Sequence, residues 1–287
     1  MLRELSVVVP SYNSRELLRK ALALLTGAAP EAEAIVVDGS STDGSADMTE
    51  AEFPGVRVLR VPNHGWAHAT NRGFETTRGR YLLTMNSDLF ITRAALEGMV
   101  RALTDARVGA AGPTLLNEDG TRQQAFGPLY WPNWLPARAA RSVPLVHGSC
   151  LMTRRDVLEK VGGLDENFFF YNEEFDWCWR LKRSGYARVQ VPETAVHLGG
   201  GSTPPSPRFQ VEGWRGSLHL VRKHAPAPVT TAIRTLALGL AAAAARLEKR
   251  PENQAAWHEV ARIARTGDTL KSPFPLSGRG EWHPRAG

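Results

Sequence analysis

Two carboxylates in this chain stand directly behind apolar runs: Asp38 follows residues 34–37, and Asp88 closes Met85-Asn86-Ser87-Asp88 after residues 81–85. Where a polyphosphate binds, a nearby carboxylate is repelled unless a divalent cation lies between them. Mg²⁺ or Mn²⁺ held by one or two carboxylates plus phosphate oxygens is the usual arrangement. Asp88 is placed for that role, although a strand-end aspartate can equally cap the next turn. Asp38 can accept from the N–H of a pyrimidine base or from a ribose hydroxyl, or it closes an Asx turn over residues 39–41. The densest acidic cluster is Glu173, Glu174 and Asp176, flanked by Phe169, Phe170, Trp177 and Trp179. At helical spacing Glu173 and Asp176 share a face, and Glu174 points partly away. Acids at a helix start are favoured by the helix dipole, so part of the cluster is structural. A carboxylate among bulky aromatics can also have a raised pKa and serve as general base toward a hydroxyl nucleophile. Arg180 is the expected partner of Glu173 or Asp176.

Asn63, Gly65, Asn71, Arg72 and Gly73 gather around a helix start. There Arg72 either reaches a phosphate or decorates a solvated helix face. His197 precedes Gly199-Gly200-Gly201-Ser202, where it either completes a metal site or is structural.

These side chains need a scaffold, and the apolar patterning predicts one. Strands over residues 5–9, 34–37, 56–61 and 81–85 alternate with helices over 14–26, from about 45, and over 67–77. Such alternation predicts a right-handed, mostly parallel α/β sheet, whose ligands bind at the carboxyl ends of the strands. Four such ends carry polar residues: Pro10-Ser11-Tyr12-Asn13, Asp38, Asn63-His64-Gly65-Trp66 and Asn86-Ser87-Asp88. Further on, residues 113–146 read as loop-heavy, 148–153 as a strand, 155–161 as a helix, 173–184 as a helix closed by Gly185, and 188–191 as a short strand. The chain then reads as helical from about 211 to 248, with a Pro/Gly-rich end from 272. The predicted organisation is a catalytic domain over 1–210, with a nucleotide-binding half (1–112) and an acceptor-binding half (113–210). A helical extension (211–271) and a flexible tail (272–287) follow.

The formal net charge of +6 suits a polyphosphate ligand, an anionic membrane surface or nucleic acid. No aromatic-interleaved basic motif is visible, which argues against nucleic acid. Two distant cysteines, Cys150 and Cys178, give no disulfide framework and no zinc spacing, and a reducing cytosol is the simpler expectation. The N-terminus lacks a secretory pattern. No stretch reads as long enough to span a membrane, residues 236–245 being the nearest candidate. The basic, apolar helical extension reads first as a cover over the core or a homodimer contact, and second as a peripheral membrane contact.

In order along the chain, Val7-Val8-Val9-Pro10-Ser11-Tyr12-Asn13, Val36-Val37-Asp38-Gly39-Ser40-Ser41, Asn63-His64-Gly65 with Asn71-Arg72-Gly73, Asn86-Ser87-Asp88, His147-Gly148-Ser149, Gly162-Gly163-Leu164-Asp165-Glu166, Tyr171-Asn172-Glu173-Glu174-Phe175-Asp176 and His197 with Gly200 and Ser202 resemble the GT-A family 2 glycosyltransferases, in particular their rhamnosyltransferase-like branch. The resemblance implies an inverting enzyme that moves a sugar from a nucleoside-diphosphate donor, dTDP- or UDP-linked, to a hydroxyl of a glycan or lipid-linked acceptor, assisted by Mg²⁺ or Mn²⁺. It implies donor contacts from Pro10, Tyr12, Asn13, Asp38, Asn63, Gly65, Asn71, Arg72, Asn86, Ser87 and Asp88. Metal would lie on Asp88 and Asn86, at the DxD position, with His197. Acceptor contacts fall on Gly148, Ser149 and Trp177, and catalysis on Glu174, Glu173 or Asp176. Two departures stand out. Asn86 replaces the first acid of the DxD, and Glu173-Glu174 replaces a Glu-Asp pair. The first departure motivates an alternative, a catalytically impaired sugar-nucleotide-binding paralogue.

Overall fold

The computed structural model describes residues 1–123, 139–199 and 206–274. Leu5–Ser11 form β1, buried at every position, as expected of a strand covered on both faces. Arg15–Ala28 (α1), Glu33–Asp38 (β2), Ser45–Glu52 (α2), Val56–Arg60 (β3), Trp66–Thr76 (α3) and Tyr81–Met85 (β4) follow, and β3, β2, β1 and β4 pair in parallel in that order. Alternate residues of these strands serve opposite layers. Val7, Val9, Val36 and Leu83 pack with Leu18 and Leu22 of α1, while Val8, Ile35, Val37 and Leu82 pack with Ala69 and Phe74 of α3. Gly73 lets α3 lie this close, since a Cβ there would stand 2.3 Å from Val8 Cγ1.

Leu89–Phe90 (β5), Arg93–Leu103 (α4), Val108–Leu116 (β6), Arg141–Ser142 (β7), Cys150–Arg154 (β8), Arg155–Val161 (α5), Glu173–Arg183 (α6) and Ala187–His197 (β9) complete the sheet. Its order is β3-β2-β1-β4-β8-β6-β9-β5, with β7 also on β9. The half built from β1 to β4 is parallel, whereas β8 runs antiparallel to both β4 and β6. Two elements correct the sequence reading. β6 carries regular structure through residue 116, where a loop was expected, and β9 has 11 residues instead of four. Pro113 and Pro192 both fall where the β6–β9 register shifts, between Gly112↔Gln190 and Thr114↔Thr194. Proline cannot donate to the ladder and is tolerated at such an irregularity, so it masked two real strands. Helix α4 also went unread.

Pro207–His224 (α7), Ala227–Leu247 (α8) and Pro251–Thr266 (α9) pack together around Val211, Leu218, Ala237, Ala241, Val260 and Ile263. By length and composition α8 is apolar enough to cross a bilayer, which corrects the expectation that no stretch would be. The extension is tied to the core by polar groups. Arg215 and Glu212, both fully buried, pair with each other. Arg215 also donates to the carbonyls of Asn167 and Thr269, and Lys223 donates to Asp165. A buried pair of this kind contributes little net stability but is costly to break. Gly200, Ser202 and the tail from residue 275 lie outside the described residues.

Candidate active site

Two strand pairings and one helix start bring the acidic residues together. After β4, Asn86 N–H donates to Ser149 O at 2.9 Å, which carries the 147–149 turn alongside. β5 then pairs with the end of β9, Leu89 opposite His197, and Leu198 N–H donates to Asp88 O at 3.2 Å. This ladder sets His197 Nε2 3.4 Å from Asp88 Oδ1. Glu173 and Glu174 enter from the N-terminus of α6. Asp88, His197, Gly148, Ser149, Glu173 and Glu174 all line one cleft of about 190 Å³, together with His147 and Tyr171. A second cleft meets it at Trp66, Asn86 and Phe170, which wall both. Pro10, Tyr12, Asn63, Gly65 and Ser87 line that second cleft, along with Phe169 and Phe209.

The tautomer of His197 follows from its neighbour. Gln123 Nε2 donates to the His197 carbonyl at 3.2 Å, which turns Gln123 Oε1 onto His197 Nδ1 at 2.8 Å. Nδ1 therefore carries the proton, and in the neutral ring Nε2 presents a lone pair to the Asp88 carboxylate. Two acceptors facing each other at 3.4 Å suit a cation between them. Two donors about 2.1 Å from one ion stand about 3 Å apart at right angles, so the pair fits Mg²⁺ or Mn²⁺. Asn86 Oδ1 instead accepts from Trp66 Nε1 at 3.1 Å. Among the described residues no group of three His, Cys, Asp or Glu side chains could hold a metal.

The backbone at the acidic cluster is unusual. Tyr171 and Asn172 both adopt left-handed conformations, with φ of 69° and 73°, a costly arrangement for non-glycine residues. Asn172 is held there from α7: its amide donates to Gly213 O, and Ser217 Oγ donates to its Oδ1. The turn aims the first two side chains of α6 inward. Burial raises the pKa of Glu174 to about 7, against the opposing pull of backbone N–H groups at the helix start. Burial, reinforced by the charge of Glu174, raises that of Glu173 well above the ordinary range. Each has an Oε2 that is buried without a hydrogen-bond partner. Glu174 packs against Gly148. His147 is neutral, because burial first, and His197 second, lower its pKa to about 3.

Six residues expected at the site line neither cleft. Asp176 is fully buried and paired with Arg180, Lys223 and His224. It anchors α6 to α7, and burial notwithstanding, Arg180 and Lys223 hold its pKa down. Trp177 is 1 % exposed, in the core, with its indole donating to Gly162 O. Asn71 exchanges two hydrogen bonds with the backbone of Leu164. Arg72 pairs with Glu75 and Glu166. The last two staple α3 to the 162–166 turn instead of lining either cleft. Asn13 bridges β1 to the next loop, accepting from Thr42 N–H. Asp38 is 2 % exposed; its Oδ1 accepts from Ser41 N–H, and its Oδ2 is buried without a partner. Sequence reasoning did not assign Gln123, His147, Trp66 or Phe209 to the site. Trp66 and His147 sit inside motifs that were read. Gln123 and Phe209 carry no local signal, because only the tertiary fold brings them in.

A parallel nucleotide-side sheet with a strand-end aspartate, extended by antiparallel strands that supply the opposite wall, defines a GT-A glycosyltransferase. Residues 6–162 match Glycosyl transferase family 2, and the chain belongs to that family: it is an enzyme that transfers sugar from nucleotide donors. It is 29 % identical over 255 residues to the N-acetylglucosaminyl-diphospho-decaprenol L-rhamnosyltransferase of Mycobacterium tuberculosis, an alignment covering 75 % of this chain and 83 % of that protein. It is 27 % identical over 218 residues to the low-salt glycan biosynthesis hexosyltransferase Agl10 of Haloferax volcanii, covering 69 % and 68 %. Its fold is similar to that of the mannosyltransferase PcManGT from Pyrobaculum calidifontis, solved with GDP-Man and Mn²⁺, with a TM-score of 0.62, 20 % identity, and 92 % and 88 % of the two chains covered.

Proposed function

We propose that the chain is an inverting transferase that moves one sugar from a dTDP- or UDP-linked donor to a hydroxyl of a glycan or lipid-linked acceptor by single displacement. The observation that carries this reading is the shared cleft: Asp88 and His197 on one wall, and the buried Glu174 on another. The nucleoside fits the cleft lined by Pro10, Tyr12, Asn63 and Phe209, with the unpartnered Asp38 Oδ2 as acceptor for a base N–H. Asp88 and His197 would hold the divalent ion, and the diphosphate would complete its coordination. When bound, the ion neutralises charge on the departing diphosphate.

Glu174 takes the proton of the acceptor hydroxyl as that oxygen bonds to the anomeric carbon. The bond from that carbon to the diphosphate oxygen breaks, and its electron pair leaves with the diphosphate. A base with a pKa near neutrality is matched to this task. Burial and the neighbouring Glu174 favour the neutral form of Glu173, which limits negative charge in the cleft. The acceptor sits against Gly148, Ser149 and Tyr171. Asn86 serves as a wall residue braced by Trp66, and Asp88 and His197 would supply the ion with one carboxylate and one imidazole.

The similarity to a rhamnosyltransferase and a hexosyltransferase supports a hexose or deoxyhexose donor. A thermal-shift screen of dTDP-rhamnose and UDP-hexoses, with and without Mn²⁺, tests the reading, because a ligand of the folded state raises the melting temperature. A Mn²⁺-dependent shift with one of these donors is expected. Shifts only with purine nucleotides, or none with any donor, would contradict it.

A further inference from the structure

Helix α8 leaves one face bare. Val229, Ile233, Leu236, Leu240 and Leu247 recur at helical spacing and are between 37 % and 80 % exposed. Ala237, Ala241 and Ala245, a third of a turn away, are buried in the three-helix core. Residues 227–245 contain a single charged residue, Arg234. It turns toward α9, where its guanidinium donates to the carbonyls of Ala264 and Arg265. The exposed face is thus uncharged along a helix about 30 Å long, far more than scattered surface apolars would give.

Charge identifies its occupant. Residues 207–274 hold 11 Lys or Arg against 5 Asp or Glu, whereas residues 1–206 hold 22 against 23. The net positive charge of the chain is concentrated in the three-helix extension that includes α8. Exposed Arg246, Lys249 and Arg250 surround Leu247 at one end of the stripe. An apolar helix face bordered by basic residues is the pattern of a helix lying in a membrane interface, and anionic headgroups attract each nearby Lys or Arg. A second copy of this chain would bring the same positive charges together.

We propose that α8 docks the enzyme on the surface of an anionic lipid bilayer, with Leu236 and Leu240 inserted among the acyl chains and Arg246, Lys249 and Arg250 at the headgroups. The helix lies in the interface and does not span. Spanning would strip Ala237, Ala241 and Ala245 from α9 and leave the carbonyls that Arg234 caps without a donor in hydrocarbon. The inference uses nothing from the catalytic reading and stands or falls separately.

The test is flotation of the full chain with vesicles of equal parts phosphatidylcholine and phosphatidylglycerol, and with phosphatidylcholine alone. A Leu236→Glu/Leu240→Glu variant is run in parallel, with circular dichroism and a cooperative thermal melt confirming that it folds. Expected is co-flotation with the anionic vesicles, at least roughly tenfold weaker partitioning onto the neutral ones, and roughly hundredfold weaker partitioning for the variant. No flotation of the parent chain, equal flotation on both lipids, or unchanged flotation of the variant would overturn the proposal. If the variant fails to fold, Arg246→Glu/Lys249→Glu replaces it, and undiminished anionic binding by that variant would equally overturn it. Light scattering that shows a parent dimer, made monomeric by Leu236→Glu/Leu240→Glu, with no vesicle binding would assign the face to a second copy.

Discussion

His197 Nε2 stands 3.4 Å from Asp88 Oδ1, and Gln123 fixes which ring nitrogen faces the carboxylate. The β5–β9 ladder sets the separation, and one amide sets the chemistry. A partner that orients a metal-binding histidine contributes about 10–100-fold to metal affinity. Gln123→Ala is therefore expected to weaken Mn²⁺ by that factor, measured as the Mn²⁺ concentration that half-saturates donor binding in calorimetry. Donor binding without metal should not change. An unaltered Mn²⁺ response would remove His197 from the ion site.

Gly65 joins the clefts to the aromatic wall. It has φ of +95°, and a Cβ there would lie 2.2 Å from the carbonyl oxygen of Phe169. The neighbouring Trp66 N–H donates to that same oxygen at 2.8 Å. Gly65→Ala is expected to cost about 2 kcal/mol or more in urea unfolding and to weaken donor binding, because Trp66 and Phe169 shift together. A variant as stable as the parent would show that the 168–171 loop can move away freely.

The buried Glu212–Arg215 pair links α7 to the loop that carries Phe170. Glu212 accepts from Phe170 N–H and from Ser272 Oγ, and Arg215 donates to Asn167 O. Arg215→Met leaves a buried carboxylate without its counter-ion and should destabilise by about 3–5 kcal/mol. Glu212→Leu/Arg215→Met together should recover much of that loss. Chemical denaturation of the three chains checks the ordering, and a double variant no better than the single one contradicts it.

Glu173 and Glu174 also set how stability depends on pH. Their folded-state pKa values lie above those of an exposed carboxyl, Glu174 at about 7. A raised value contributes stability that is fully present below the unfolded pKa and is lost as pH rises through the folded one. Without ligand, the melting temperature should therefore fall between about pH 5 and pH 8, and Glu174→Gln should flatten that fall. A parent melting temperature that rises across this window would place the two carboxylates in a more polar setting than their burial implies.

The first half of the fold was legible because its strands are continuous apolar runs and its functional residues sit at strand ends. Asn63, Gly65 and Asp88 follow strand ends and line the clefts, whereas Asp38, also at a strand end, lines neither. Legibility failed where periodicity gave out. Pro113 and Pro192 disguised β6 and β9, yet β9 is what delivers His197. Residue type misled at Arg72 and Asp176, where a charged residue near a predicted site turned out to be committed to an ion pair. Trp177 misled likewise: an aromatic near an acidic cluster went to the core, as large apolar side chains usually do. Phe209 and Gln123 were invisible, since no local pattern marks a side chain that reaches the site from a distant element.

The most direct test of the account is Glu174→Gln, assayed for Mn²⁺-dependent donor binding and for transfer in the same preparation. Glu174 is assigned the acceptor proton and no phosphate contact. The account predicts donor affinity within about threefold of the parent, transfer reduced by about 10²–10⁴, and loss of the rate increase expected of the parent as pH rises through about 7. Transfer at the parental rate, with the same rise in rate across neutral pH, would contradict it.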